Sequence, residues 1–168
     1  MYYKAVAESM PADYPIYLYG IPQCAVNDIS PALAARVAEA CPNVIGLKYS
    51  FNDMIRLQKF MEIREGTFSV FSGCDDMFAM TALAGADGIV SGNAQAIPEH
   101  YVAVWEAVKA GDAKKQCRFS IVLICLIRLC VMTMIRQGLK QYCSIVVYWN
   151  MIVFVRRFSL FRQRKLKQ

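Results

Sequence analysis

A chain of 168 residues with 57% hydrophobic residues is long enough to bury a core of its own, and its length suits a single domain. The formal net charge of +6 does not mark it as a nucleic-acid binder, because the charge is split along the chain. Residues 1–112 hold all 13 acidic residues and 7 of the 19 basic ones, while residues 113–168 hold the other 12 and no acid.

Alanine also stops at Ala113, so the composition changes at the same point as the charge. The cysteines are Cys24, Cys41, Cys74, Cys117, Cys125, Cys130 and Cys143, and no two form a CxxC pair or a zinc spacing with the single histidine, His100. No metal ligands are expected, and a reduced, cytoplasmic protein is the simplest reading. His100 lies early in a helical pattern and is expected to be solvated. The segment Tyr2–Glu8 reads as a helix already under way rather than as a signal peptide.

In chain order, Pro11 and Pro15 bracket a turn after the first helix, and Ile16–Tyr19 is a short strand stopped by Gly20 and Pro22. Ser30 and Pro31 start a helix over Ala32–Ala40 as N-cap and first-turn proline. Val44–Lys48 is the second strand. Asn52 or Asp53 caps a helix predicted over Met54–Arg64, whose apolar residues recur at helical spacing, and Gly66 stops it. Thr67–Phe71 is a third strand, and Asp75 and Asp76 open a helix over Met77–Leu83 with acids at its positive end. Ile89–Ser91 is a fourth strand, followed by a helix over Glu99–Ala110 that Gly111 ends.

Four repeats of short apolar strand and amphipathic helix predict an α/β fold with a parallel sheet covered by helices. A doubly wound sheet and a (β/α)8 barrel both fit that pattern. A dinucleotide-binding reading lacks support, since no GxGxxG follows any strand.

In parallel α/β folds, chemistry collects at the carboxyl ends of the strands. Here those ends carry Tyr19, then Lys48 with Ser50, then Gly73 with Asp75 and Asp76, then Ser91, Gly92 and Asn93. An ammonium deprived of water at the mouth of an apolar strand gives up its proton more readily, and the free amine can attack a ketone to form a Schiff base. Lys48 is the candidate nucleophile and Tyr19 a candidate proton shuttle. The competing roles are structural: a lysine snorkelling into solvent, a strand-end tyrosine with a wet tip, and aspartates that cap a helix.

The segments Tyr17-Leu18-Tyr19-Gly20-Ile21-Pro22, Val44-Ile45-Gly46-Leu47-Lys48, Phe71-Ser72-Gly73-Cys74-Asp75-Asp76 and Leu83 to Ser91 carry a resemblance. In order, spacing and residue type they are similar to the dihydrodipicolinate synthase / N-acetylneuraminate lyase family over about residues 1–112. The resemblance implies a (β/α)8 barrel of pyruvate-dependent class I aldolases and lyases, usually homotetrameric, needing no cofactor. It implies that Lys48 forms the pyruvate imine and that Tyr19 relays protons. Gly73, Asp75 and Asp76 match positions of the lyase branch that contact substrate hydroxyls, and Ser50 matches a hydroxyl residue of that branch. Two positions depart from the pattern: Gly20 replaces an asparagine, and Cys24 stands where the synthases carry an arginine for the aldehyde's carboxylate. The second departure leans toward a sugar-acid aldolase.

A (β/α)8 barrel takes about 250 residues, and the four units here match the second half of the family. The expectation is half a barrel over residues 1–112, a truncated Schiff-base lyase or aldolase with little or no activity alone. An inactive fragment or a membrane-associated non-enzyme is the alternative. Residues 113–168 form an apolar, basic, helical extension with apolar runs at Phe119–Ile135 and Cys143–Val155 and a basic cluster at Arg156–Lys167. A frame-shifted end, a divergent family extension and a membrane anchor all fit that composition, the anchor least, because Arg128 interrupts the first run.

Overall fold

The computed structural model describes residues 2–137. Four strands, β1 (Ile16–Gly20), β2 (Val44–Tyr49), β3 (Ser69–Ser72) and β4 (Gly88–Ile89), form one sheet in sequential order, and every neighbouring pair is parallel. The α-helices are α1 (Tyr2–Glu8), α2 (Pro31–Ala40), α3 (Met54–Met61), α4 (Phe78–Leu83), α5 (Pro98–Lys109) and α6 (Ala113–Gln137). Single 3-10 turns lie at Ile63–Gly66, Asp75–Met77 and Asn93–Gln95.

Local chemistry starts the helices where the sequence places them. The Ser30 hydroxyl accepts a bond from the Leu33 amide with Pro31 in the first turn, and the Asp53 carboxylate accepts from the Arg56 amide. Asp112 accepts from the Lys115 amide and begins α6, and that bond draws its carboxyl below the ordinary value.

The two faces of the sheet differ. Leu18, Val44, Leu47, Tyr49 and Val70 point to the helix side, where they form one core with Ala34, Val37 and Ala38 of α2 and Leu57 and Phe60 of α3. The opposite face carries Tyr17, Tyr19, Lys48 and Phe71, because residues two apart share a face and partners in register lie side by side. Strict alternation from Val44 would turn Lys48 toward the Val44 face. A register shift prevents this: Ile16 pairs with Val44 and Tyr17 with Gly46, so Ile45 is an extra residue.

A second core joins Phe78 and Ala82 of α4, Tyr101 and Val104 of α5, and Leu123 and Ile127 of α6. The first apolar run, Phe119–Ile135, lies within the span of α6. The run at Cys143–Val155 and the basic cluster at Arg156–Lys167 lie outside the described residues. Among the described residues, no helix is long and apolar enough to cross a membrane.

Several boundaries differ from the sequence reading, among them the fourth strand, which covers Gly88–Ile89 rather than Ile89–Ser91. The helix predicted over Met54–Arg64 stops at Met61, and Arg64 and Glu65 adopt left-handed φ values of 52° and 54° in the turn that follows. The third strand begins at Ser69 rather than Thr67, whose hydroxyl donates to the Arg64 carbonyl. Asp75 and Asp76 occupy a 3-10 turn ahead of α4 instead of its first α-turn.

Candidate active site

Three layers of side chains stack along the face opposite the helices. The lowest pairs Tyr17, Gly46 and Ser69 in register. Position 46 is glycine for a steric reason: a Cβ there would overlap the Tyr17 ring and the Ser69 carbonyl. Burial raises the Tyr17 phenol above its ordinary value; the Ser69 hydrogen bond opposes this and Asp87 adds to it.

The middle layer pairs Tyr19, Lys48 and Phe71. Lys48 Nζ lies over the Tyr19 ring, 4.3 Å from its centroid. This is cation–π distance, and the attraction holds the amine at the strand mouth. Tyr19 is 51% exposed. Phe71 stacks edge-on below against Tyr17, with ring centroids 5.6 Å apart.

The upper layer extends the ladder by one residue per strand. The Ser50 amide donates to the Gly20 carbonyl and the Gly73 amide to the Tyr49 carbonyl, each at 2.8 Å. Ser50 and Gly73 thus sit side by side above Lys48. A Cβ on Gly73 would overlap Ser50 Oγ and stand 3.0 Å from Lys48 Cε. The bare backbone at position 73 is what lets the Lys48 side chain and the Ser50 hydroxyl occupy this space. Ser50 Oγ is buried and makes no hydrogen bond. An orphaned buried hydroxyl is uncommon and fits a group that waits for a ligand atom.

The loops supply the rest of the rim. Gln23 Nε2, from the turn after β1, donates to the Ser50 carbonyl at 2.8 Å and ties that loop to the end of β2. Cys24 is exposed. After β3, Asn93 Nδ2 donates to Asp75 Oδ2 at 2.7 Å, while Asp75 Oδ1 is buried without a partner. Asp76 is exposed. Burial pushes the Cys74 thiol up; Asp75 and Asp76 push it the same way and Lys48 opposes them, so one sulfur senses the amine and both carboxylates.

Of the sequence candidates, the structure brings Tyr19, Lys48, Ser50 and Gly73 into direct contact range, with Asp75 two residues beyond. Ser91 is buried and its hydroxyl is already engaged: it accepts from the Asn93 and Ala94 amides and pairs with the Tyr101 hydroxyl at 3.2 Å. Gly92 is open, with no atom near the place of a Cβ. The sequence places Asn93 at the end of the fourth strand without a role, and Gln23 is not among its candidates. Among the described residues no group of three or more His, Cys, Asp or Glu side chains is arranged to hold a metal.

Comparison with known proteins bears on this arrangement. The sequence model of the Dihydrodipicolinate synthetase family matches residues 1–156. A DapA-like lyase of Pyrococcus horikoshii is 38% identical over 116 residues, covering 68% of this chain and 39% of its own length. A 4-hydroxy-tetrahydrodipicolinate synthase of Methanopyrus kandleri is 30% identical over 115 residues, covering 68% of this chain and 38% of its own. Among solved structures, YagE of Escherichia coli K12, a prophage protein of the dihydrodipicolinic acid synthase family in complex with pyruvate, superposes with a TM-score of 0.70. It is 27% identical and matches 86% of this chain against 47% of its own. The chain thus spans about 40% of the length of the curated relatives it matches. Its parallel four-stranded sheet with helices corresponds to part of that family's (β/α)8 barrel. On the family match and the relatives together, this chain belongs to the dihydrodipicolinate synthetase family.

Proposed function

We propose that this chain carries the imine-forming part of a pyruvate-dependent lyase or aldolase site. The observation that carries the reading is Lys48: an amine at a strand mouth, its Nζ against Tyr19 and its stem across the bare backbone of Gly73. In the proposed reaction the free Nζ attacks the C2 carbonyl of a 2-oxo acid, and the carbinolamine loses water to leave a protonated imine. That cation draws electrons from C3. A proton leaves C3, and the resulting enamine attacks an aldehyde to form the carbon–carbon bond; the reverse sequence cleaves it. Tyr19 relays protons during both stages. Ser50, Gly73, Asp75, Asp76, Ser91 and Gly92 line the proposed substrate-binding rim.

Two substrate classes enter the proposal: pyruvate with an aldehyde bearing a carboxylate, or a 2-keto sugar acid rich in hydroxyls. Cys24, a neutral thiol where the synthases carry an arginine, favours the second. The half-barrel over residues 1–112, the extension over 113–168, low activity of the chain alone and tetrameric assembly belong to the same proposal. Borohydride reduction in the presence of pyruvate tests the central step: Lys48→Ala loses the adduct, whereas Tyr19→Phe still forms it but more slowly. An adduct that survives Lys48→Ala contradicts the assignment.

A further inference from the structure

We propose that Asn93 is a positioning residue that sets the site's preference for hydroxyl-bearing substrates through Asp75; this rests on the Lys48 reading above. An ionised carboxylate is acceptor-only, so the side-chain atom that Asn93 turns toward it is the amide nitrogen. That nitrogen occupies Oδ2 at 2.7 Å and fixes the rotation of the carboxylate. The other oxygen, Oδ1, is buried and unpartnered. A buried anionic acceptor without a donor is costly, and a substrate hydroxyl is the natural donor for it. A second carboxylate placed there would meet like charge instead.

Asn93 is itself anchored. Its amide and that of Ala94 both donate to Ser91 Oγ, which also pairs with the Tyr101 hydroxyl inside the α4–α5–α6 core. The turn after β4 is thereby fixed and reaches across to the turn after β3. Asp75 follows by two residues the glycine over which Lys48 lies, which puts its carboxylate on the loop beside the strand end that carries the amine.

The test uses the full chain and measures the concentration of 2-oxo acid that half-saturates cyanoborohydride trapping. Two probes have equal carbon number: 2-dehydro-3-deoxy-D-gluconate, with distal hydroxyls, and 2-oxohexanoate, with none. Wild type is expected to favour the hydroxylated probe by about tenfold or more, the scale of a hydrogen bond to a charged group. Asn93→Ala and the near-isosteric Asn93→Asp are expected to lose most of that preference, the half-saturation of the hydroxylated probe rising toward that of 2-oxohexanoate. An unchanged preference in both variants, or equal half-saturation by the two probes in wild type, overturns the role of Asn93. Failure of wild type to trap pyruvate at all overturns the Lys48 reading and, with it, this inference.

Discussion

At the scale of single residues, the absence of a side chain at position 73 governs the site. Ser50 Oγ lies where a Cβ would stand, and Lys48 Cε is 3.0 Å from that place. Gly73→Ala is expected to destabilise the fold by about 1–3 kcal/mol, the usual cost of overpacking, and to abolish pyruvate trapping. Adding Ser50→Gly removes the closest clash, so the double variant is expected to recover part of the stability in urea titration. Unaltered stability of Gly73→Ala would show that the strand ends can spread apart. Lys48, Tyr19, Ser50 and Gly73 were legible in the sequence because each ends an apolar strand, and parallel strands bring their ends together. Gln23 was not, and Asn93 was readable only as a strand-end residue, because each acts through a bond across two loops, to the Ser50 carbonyl and to Asp75. No local pattern encodes such a pairing. The bulge at Ile45 was equally hidden: it turns Lys48 to the site face by one extra residue that composition does not announce.

At the scale of elements, the end of α3 shows tertiary bonding overriding helical propensity. The sequence continues in helix-compatible residues to Arg64, yet the helix stops at Met61. The Arg64 guanidinium donates to the carbonyls of Val44, Ala38 and Cys41, joining the start of β2 to the end of α2. Left-handed backbone at Arg64 and Glu65 is the conformational cost of that reach. Arg64→Ala is expected to cost about 1–3 kcal/mol by leaving these acceptors without their donor, read as a lower urea midpoint at unchanged slope. A shift within error would mean that water replaces the guanidinium freely. Where caps sit in the local sequence, as at Ser30 and Asp53, the element starts were readable. The end of α3 depends on carbonyls 20 and more residues away, so it was not.

At the scale of the whole molecule, two cores sustain the sheet, one under α2 and α3 and one joining α4, α5 and α6. Tyr49 lies buried in the first, with its hydroxyl accepting from Arg56, which also pairs with Asp28. Burial raises its phenol above the ordinary value near 10.0, and the Arg56 bond only partly opposes this. Tyr17 is raised in the same direction by burial. For a group raised on folding, the native state holds the proton longer than the unfolded chain. Stability is therefore fully present below the unfolded phenol's pKa, about 10, and is lost as pH rises through the folded value. Chemical denaturation between pH 8 and about pH 11 is expected to show this fall, shallower in Tyr49→Phe. The order of strands and helices was legible from apolar periodicity and from glycine and proline punctuation. The join between α6 and the α4–α5 layer was not, since Leu123 and Ile127 look like any other residues in an apolar run until Phe78 and Tyr101 are placed against them.

The most direct measurement of the central claim is peptide-mapped trapping. The full chain is incubated with pyruvate, reduced with borohydride, digested and sequenced by mass spectrometry. The account predicts one reduced pyruvate on Lys48, with the other lysines unmodified and the adduct suppressed in Gly73→Ala. Adducts spread evenly over exposed lysines, or none on the peptide bearing Lys48 at saturating pyruvate, would contradict it.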